Sequence, residues 1–147
     1  MVLPIFLHGS VWHILTNLLS LLMIGFTVEN YLQSKVKYAL VLLIGGIGGN
    51  LFSDVANPYS VSVGASGAIY ALTGRFTVYI IQNFKTFSKA NYPFLVFNGV
   101  MLGFGLLNGF TSPGVDGWGH LGGILTGILL AGVLYPADEQ LTPLLKK

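Results

Sequence analysis

Five apolar runs divide this chain, at about residues 12–31, 36–54, 64–83, 92–110 and 118–135. Each is roughly 17–21 residues long, the length at which a helix crosses the hydrocarbon core of a bilayer. They are too long for strands and do not alternate polar with apolar side chains, which argues against a membrane β-barrel. Composition points the same way. Only 8% of the residues are charged and 53% are hydrophobic, whereas a soluble domain carries about 25% charged residues. The expected fold class is an all-α membrane protein, a polytopic helical bundle with five spans. One transmembrane domain is expected over 1–147, with 1–11 as an interfacial lead-in and 136–147 as a cytoplasmic tail.

The composition also removes whole classes of chemistry. There is no cysteine, which rules out disulfides, cysteine-ligated zinc and a thiol nucleophile. A net charge of +2 is too small to point to nucleic acid. The opening Met1-Val2-Leu3-Pro4 lacks the basic start of a secretory signal. No metal and no cofactor are expected.

Orientation follows from the basic residues. Lys35 and Lys37 lie between runs one and two, Lys85 and Lys89 between three and four, and Lys146 and Lys147 after five. The other loops, 55–63 and 111–117, have neither Lys nor Arg. The positive-inside rule makes the lysine side, and with it the C-terminus, cytoplasmic. Helices one, three and five then all run from outside to inside. Their N-terminal ends share one depth, and they carry His13 and Asn17, Ser66, and His120. Polar side chains at that depth face the bundle interior and mark function.

Ser66 sits in Gly64-Ala65-Ser66-Gly67-Ala68, where small neighbours let another backbone approach its hydroxyl. At the start of a helix it would also lie beside free N–H groups, which suits a nucleophile building up negative charge. The alternative is a small-residue packing face with an incidental serine. A serine needs a base, and His120 is the candidate. Gly119, Gly123 and Gly127 form a ridge that would bring its helix against helix three; a structural hydrogen-bonding histidine is the alternative. His13 and Asn17, at i and i+4, share a face and would complete an oxyanion hole with the Ser66 N–H, or else only glue helices together.

Other polar residues receive ordinary roles. Asp116, four residues before His120, reads as a solvated carboxylate or helix cap and not as a third catalytic member. Asp54 reads as a polar helix end, and His8 as a residue that orders the lead-in. Trp118, Tyr92 and Tyr135 are placed as interfacial aromatics. Arg75 lies inside helix three; pairing with Glu29 is favoured over snorkelling.

Taken together, His13-x-x-x-Asn17, Gly64-x-Ser66-Gly67 and His120-x-x-Gly123-x-x-x-Gly127, in this order and on separate spans, resemble the rhomboid family of intramembrane serine proteases. Val28-Glu29, His8 and Tyr70 match as well, the last at a position where the family often packs an aromatic near the histidine. The resemblance covers about residues 6–135. It implies a Ser66–His120 dyad, an oxyanion hole from His13, Asn17 and the Ser66 amide, and a transmembrane-helix substrate cut near the outer face after entering sideways from the bilayer. The family core has a further helix and a long embedded loop ahead of the His-x-x-x-Asn helix. This chain starts too late to contain them, so it is either a fragment or a five-span form. Thr16 and Ser20 are small where some members carry bulky gate residues.

Two other functions compete. One is a catalytically silent rhomboid-like protein that binds transmembrane helices without cutting them. The other is a small transporter, although the helices lack charged residues spread along a path.

Overall fold

The computed structural model describes residues 1–59, 61–86 and 88–133. The end of the fifth expected span with Tyr135, and the tail with Lys146 and Lys147, lie outside the described residues. Five helices, joined by loops and short 3-10 turns, make up the described fold, with no strand among the described residues.

Helix α1 (Val11–Leu32) starts where Ser10 is extended and its hydroxyl accepts from the His13 N–H at 3.1 Å. That cap fixes the first turn and, with it, the direction of His13. Halfway along, Leu21–Gly25 forms a π turn, and Gly25 faces the Tyr38 hydroxyl. Gln33 ends the helix in the left-handed region at φ 51. Ser34 then caps α2 (Lys35–Ala56), accepting from the Lys37 N–H at 3.3 Å. Pro58 follows one residue after the C-cap Asn57, so the helix cannot continue. Helices α3 (Ser66–Asn83), α4 (Tyr92–Thr111) and α5 (Gly117–Val133) complete the bundle.

By length and apolarity, α1, α2 and α4 are sufficient to cross a membrane. Helix α3 has 18 residues and carries Arg75, and α5 is described over 17 residues. The small residues of both helices suit a central position. Residues 67–76 of α3 are all buried, and α3 packs most extensively against α5 and α2. Small residues make this possible. A side chain at Gly123 would fall on the Gly67 carbonyl, one at Gly127 on the Ala71 carbonyl, and one at Gly45 on Ala71. In lipid such close packing replaces the hydrophobic drive that holds soluble helices together.

The ridge on α5 makes its contact differently at one position. Gly123 and Gly127 do face α3, but the space beside the Gly119 α-carbon is taken by the Asp116 carboxyl. Gly119 instead offers its carbonyl oxygen to the approach of Gly49 and Gly67. The difference comes from the helix start, where a capping side chain folds back over the first turn.

Away from the serine end, Ile24, Val28, Leu32, Val41, Leu72, Phe76, Ile80 and Leu130 form a continuous apolar core. Arg75 is enclosed in this half, 2% exposed, with its guanidinium carbon 5.0 Å from the centre of the Tyr31 ring. Such burial means the charge is held inside the bundle and does not snorkel. Between α4 and α3, Asn98 Nδ2 donates to Thr77 Oγ1 at 2.8 Å, a bond worth about 0.6 kcal/mol in a membrane interior. The outer surface is apolar, with Leu22, Phe26, Val36, Phe104, Leu107 and Leu129 all exposed, as lipid contact requires.

Candidate active site

Ser66 is the first residue of α3, after a loop with no regular structure over 61–65. Gly64 holds φ +125, a conformation other residues rarely adopt. A side chain there would also lie 2.7 Å from the Cε1 and Nε2 atoms of His13. Glycine is therefore required twice over, once for the turn into α3 and once for the imidazole beside it. The Gly64 N–H donates to the Pro4 carbonyl at 2.8 Å, so the lead-in is tied to the serine loop.

One turn into α3, Tyr70 stacks on the imidazole of His120, with ring centroids 4.1 Å apart. His120 is 6% exposed, and its Nδ1 lies 3.4 Å from the Gly105 carbonyl on α4. A carbonyl only accepts, so this contact places the ring proton on Nδ1 and leaves the lone pair on Nε2. The Tyr70 hydroxyl in turn occupies the space where a Gly105 side chain would stand. Tyr70 and Gly105 together fix both the plane and the tautomer of the imidazole.

His13 and Asn17 stand on the face of α1 that looks toward Ser66. Asn17 is buried at 7% exposure, and its Nδ2 donor has no partner among the described residues. A buried amide donor left open costs about 1–3 kcal/mol, so a site that keeps one has a use for it. The ring of His8 meets that of His13 edge-on, 5.1 Å between centroids.

Ser66, His120, His13, Asn17 and Tyr70 line one open cavity of ≈ 680 Å³. Thr16 and Ser20 of α1 and Val100, Met101 and Phe104 of α4 line its flank. Gly64 and Gly67 border the serine, while Gly119, Gly123 and Gly127 lie on the α5 side of the α3 contact. The residues singled out from sequence therefore meet at one end of the bundle. Two further residues at the cavity were not singled out from the sequence. Gly105 acts through a main-chain oxygen, and Ser62 donates its hydroxyl to Asp116 Oδ2. For Gly105 the available signal was its spacing from Gly109, which puts a second bare stripe on α4 against His120 and Gly117.

Ser66, an imidazole whose Nδ1 faces a carbonyl, and an amide donor with no partner among the described residues thus line one cavity. The chain is matched over residues 1–137 by a family model, the Rhomboid domain. It is 38% identical over 131 residues to RHOMBOID-like protein 4 of Arabidopsis thaliana, covering 87% of this chain and 32% of that protein. To Rhomboid protease GluP of Bacillus subtilis it is 35% identical over 132 residues, covering 89% of the chain and 25% of that relative. RHOMBOID-like protein 6, mitochondrial, of Arabidopsis thaliana is 31% identical over 137 residues, 91% of the chain and 43% of the relative. The chain thus spans between a quarter and a half of the length of these relatives. With its apolar helices and this match along nearly its whole length, the chain is an integral membrane protein and belongs to the rhomboid family.

Proposed function

We propose that this chain is the catalytic core of an intramembrane serine endopeptidase. Ser66 is the nucleophile and His120 the general base, its Nε2 taking the hydroxyl proton as Oγ attacks the scissile carbonyl. The Ser66 N–H, the Asn17 amide and the His13 ring donate to the oxyanion that forms. Collapse of that intermediate breaks the C–N bond, and His120 returns the proton to the leaving amine. Water then repeats the sequence on the acyl-enzyme and restores the serine.

One observation carries this reading most. Asn17 keeps a buried donor, with no partner among the described residues, in the same cavity as Ser66 and His120, which is what an oxyanion donor requires. The substrate class is a transmembrane helix that unwinds at the outer end of the bundle. It would reach the cavity sideways past α1 and α4, whose residues form its flank. The lysine distribution orients the C-terminus to the cytoplasm, which puts the cavity toward the opposite face.

The test is labelling of the detergent-solubilised chain with a fluorophosphonate, which traps an activated serine. Labelling should map to Ser66 and vanish in both Ser66→Ala and His120→Ala, along with cleavage of a reporter transmembrane substrate. Cleavage that persists in Ser66→Ala overturns the assignment.

A further inference from the structure

Asp116 uses both of its carboxylate oxygens. Oδ1 accepts from the Gly119 N–H at 2.8 Å, which caps α5, while Oδ2 accepts from the hydroxyl of Ser62. Its main-chain oxygen accepts from the His120 N–H at 3.1 Å. A helix cap needs one acceptor, so the second oxygen does something capping does not explain. Ser62 lies four residues before Ser66, just as Asp116 lies four residues before His120. One side chain therefore joins the two segments that begin the two helices of the dyad. Both partners border the cavity.

The segment 61–65 needs such an anchor. Apart from the Ala65 carbonyl, which accepts from the Ile69 N–H at 3.0 Å, it has no ladder or helix bond, and Gly64 gives it a backbone that rotates easily. The body of α3 is set by the approach of Gly67 to Gly123, but that contact lies inside the helix. Neither that contact nor the Ile69–Ala65 bond fixes the peptide planes of residues 61–64, which set how the first turn carrying Ser66 is presented to His120. On one side the segment is held by the Gly64–Pro4 bond, and on the other by Ser62 on Asp116. Asp116 does this without touching the imidazole's ring nitrogens, since His120 Nδ1 faces Gly105.

We infer that Asp116 is a positioning residue: through Ser62 it locks the segment leading into Ser66 against the helix that carries His120. This rests on the dyad reading above. It differs from a triad in that the carboxylate orients the nucleophile's side of the pair, and not the base.

The experiment uses the full chain in detergent and separates tie from cap. Ser62→Ala removes the tie and leaves the cap. Asp116→Ser leaves a capping oxygen but is too short, and has too few acceptors, to serve both partners. Ser62→Thr keeps the hydroxyl. Fluorophosphonate labelling rates, melting temperature and hydrogen exchange of a peptide covering 61–66 are read for each. A 1 Å displacement at a reacting centre costs about 10²-fold, and a fraction of that is expected here. Ser62→Ala and Asp116→Ser should each slow labelling about tenfold, with the double variant no slower than either, because both remove one interaction. Exchange over 61–66 should rise in both, while Ser62→Thr matches the wild type. Unchanged exchange in Ser62→Ala overturns the tie. Raised exchange with an unchanged labelling rate overturns the positioning role. A wild-type chain that neither labels nor cleaves overturns the protease reading and the positioning role with it, whereas the exchange comparison decides the tie either way.

Discussion

The imidazole of His120 lies on the ring of Tyr70, centroids 4.1 Å apart and planes 27° from parallel. A buried imidazole has three ways to drift: it can tilt, rotate about its Cβ, or exchange tautomers. The tyrosine face prevents the first, and the Gly105 carbonyl at Nδ1 prevents the other two. What remains available for chemistry is Nε2. Tyr70 lies one turn after Ser66 on α3, so the helix that carries Ser66 also orients the imidazole of His120.

Tyr70 therefore acts through its ring more than through its hydroxyl. Tyr70→Phe keeps the stacked face and should hold turnover within about threefold of wild type. Tyr70→Ala frees the imidazole and should lower turnover about 10²-fold, the scale of a small misplacement at a reacting centre. It should also lower the melting temperature, since truncating a buried aromatic costs about 3–5 kcal/mol. Turnover and thermal unfolding measured on both variants check this, and a Phe variant as impaired as the Ala variant would assign the role to the hydroxyl.

Asn17 gives the opposite balance between rate and stability. Its Nδ2 has no partner among the described residues, so removing it forfeits no bond of the resting protein. Asn17→Ala should reduce turnover by about 10²–10³ at most, less where His13 and the Ser66 amide compensate, with little change in melting temperature. Asn17→Asp, equal in size but with no donor, should be as slow. An alanine variant that unfolds early yet cleaves at the normal rate would show that Asn17 only joins helices.

Glycines on two helices of the same bundle should respond differently to one added methyl. A side chain at Gly123 meets the Gly67 carbonyl, a main-chain atom that cannot rotate away. Gly123→Ala should lower melting temperature and turnover together. Gly99 and Gly103 on α4 have nothing within 4 Å of the added carbon. Alanine there should be neutral or stabilising by up to about 1 kcal/mol, the intrinsic helix preference over glycine. Equal tolerance at Gly123 and Gly99 would mean that α3 and α5 are less closely packed than this geometry requires.

Much of this was legible in the sequence because a bilayer leaves few choices. Apolar runs of spanning length dictate helices, and alternation of direction brings the starts of helices one, three and five to one end. That is why Ser66, His120, His13 and Asn17, distant in sequence, line one cavity. Main-chain chemistry was not legible. The carbonyl that fixes the His120 tautomer belongs to Gly105, and any residue type supplies a carbonyl. Asp116 was read as a cap or a solvated group, and it does cap α5. Its second bond, to Ser62, depends on how two loops meet, which no spacing within either loop reveals. The surroundings of Gly119 were hidden for the same reason, because the side chain beside its α-carbon comes from its own cap.

Gly105 offers the sharpest test of how the His120 imidazole is held. A side chain at this position would fall on the Tyr70 hydroxyl, with Cζ 2.6 Å and Cε1 3.1 Å away. Gly105→Ala must then push α4 outward or turn Tyr70 off the imidazole. Either movement loosens His120, the first by withdrawing the carbonyl from Nδ1 and the second by removing the stacked face. Turnover should fall about 10²-fold. The two routes separate in a double variant. Tyr70→Phe removes the hydroxyl, the closest of the clashing atoms, so the remaining phenyl ring can stay stacked while α4 needs to retreat less. Gly105→Ala combined with Tyr70→Phe should therefore recover part of the lost labelling rate, a positive coupling between neighbouring sites. Gly99→Ala on the same helix serves as the control for a methyl added elsewhere. If the double variant is as slow as Gly105→Ala, or slower, the hydroxyl is not what sets the spacing between α4 and the imidazole, and the Gly105 contact would owe its geometry to the packing of α4 alone.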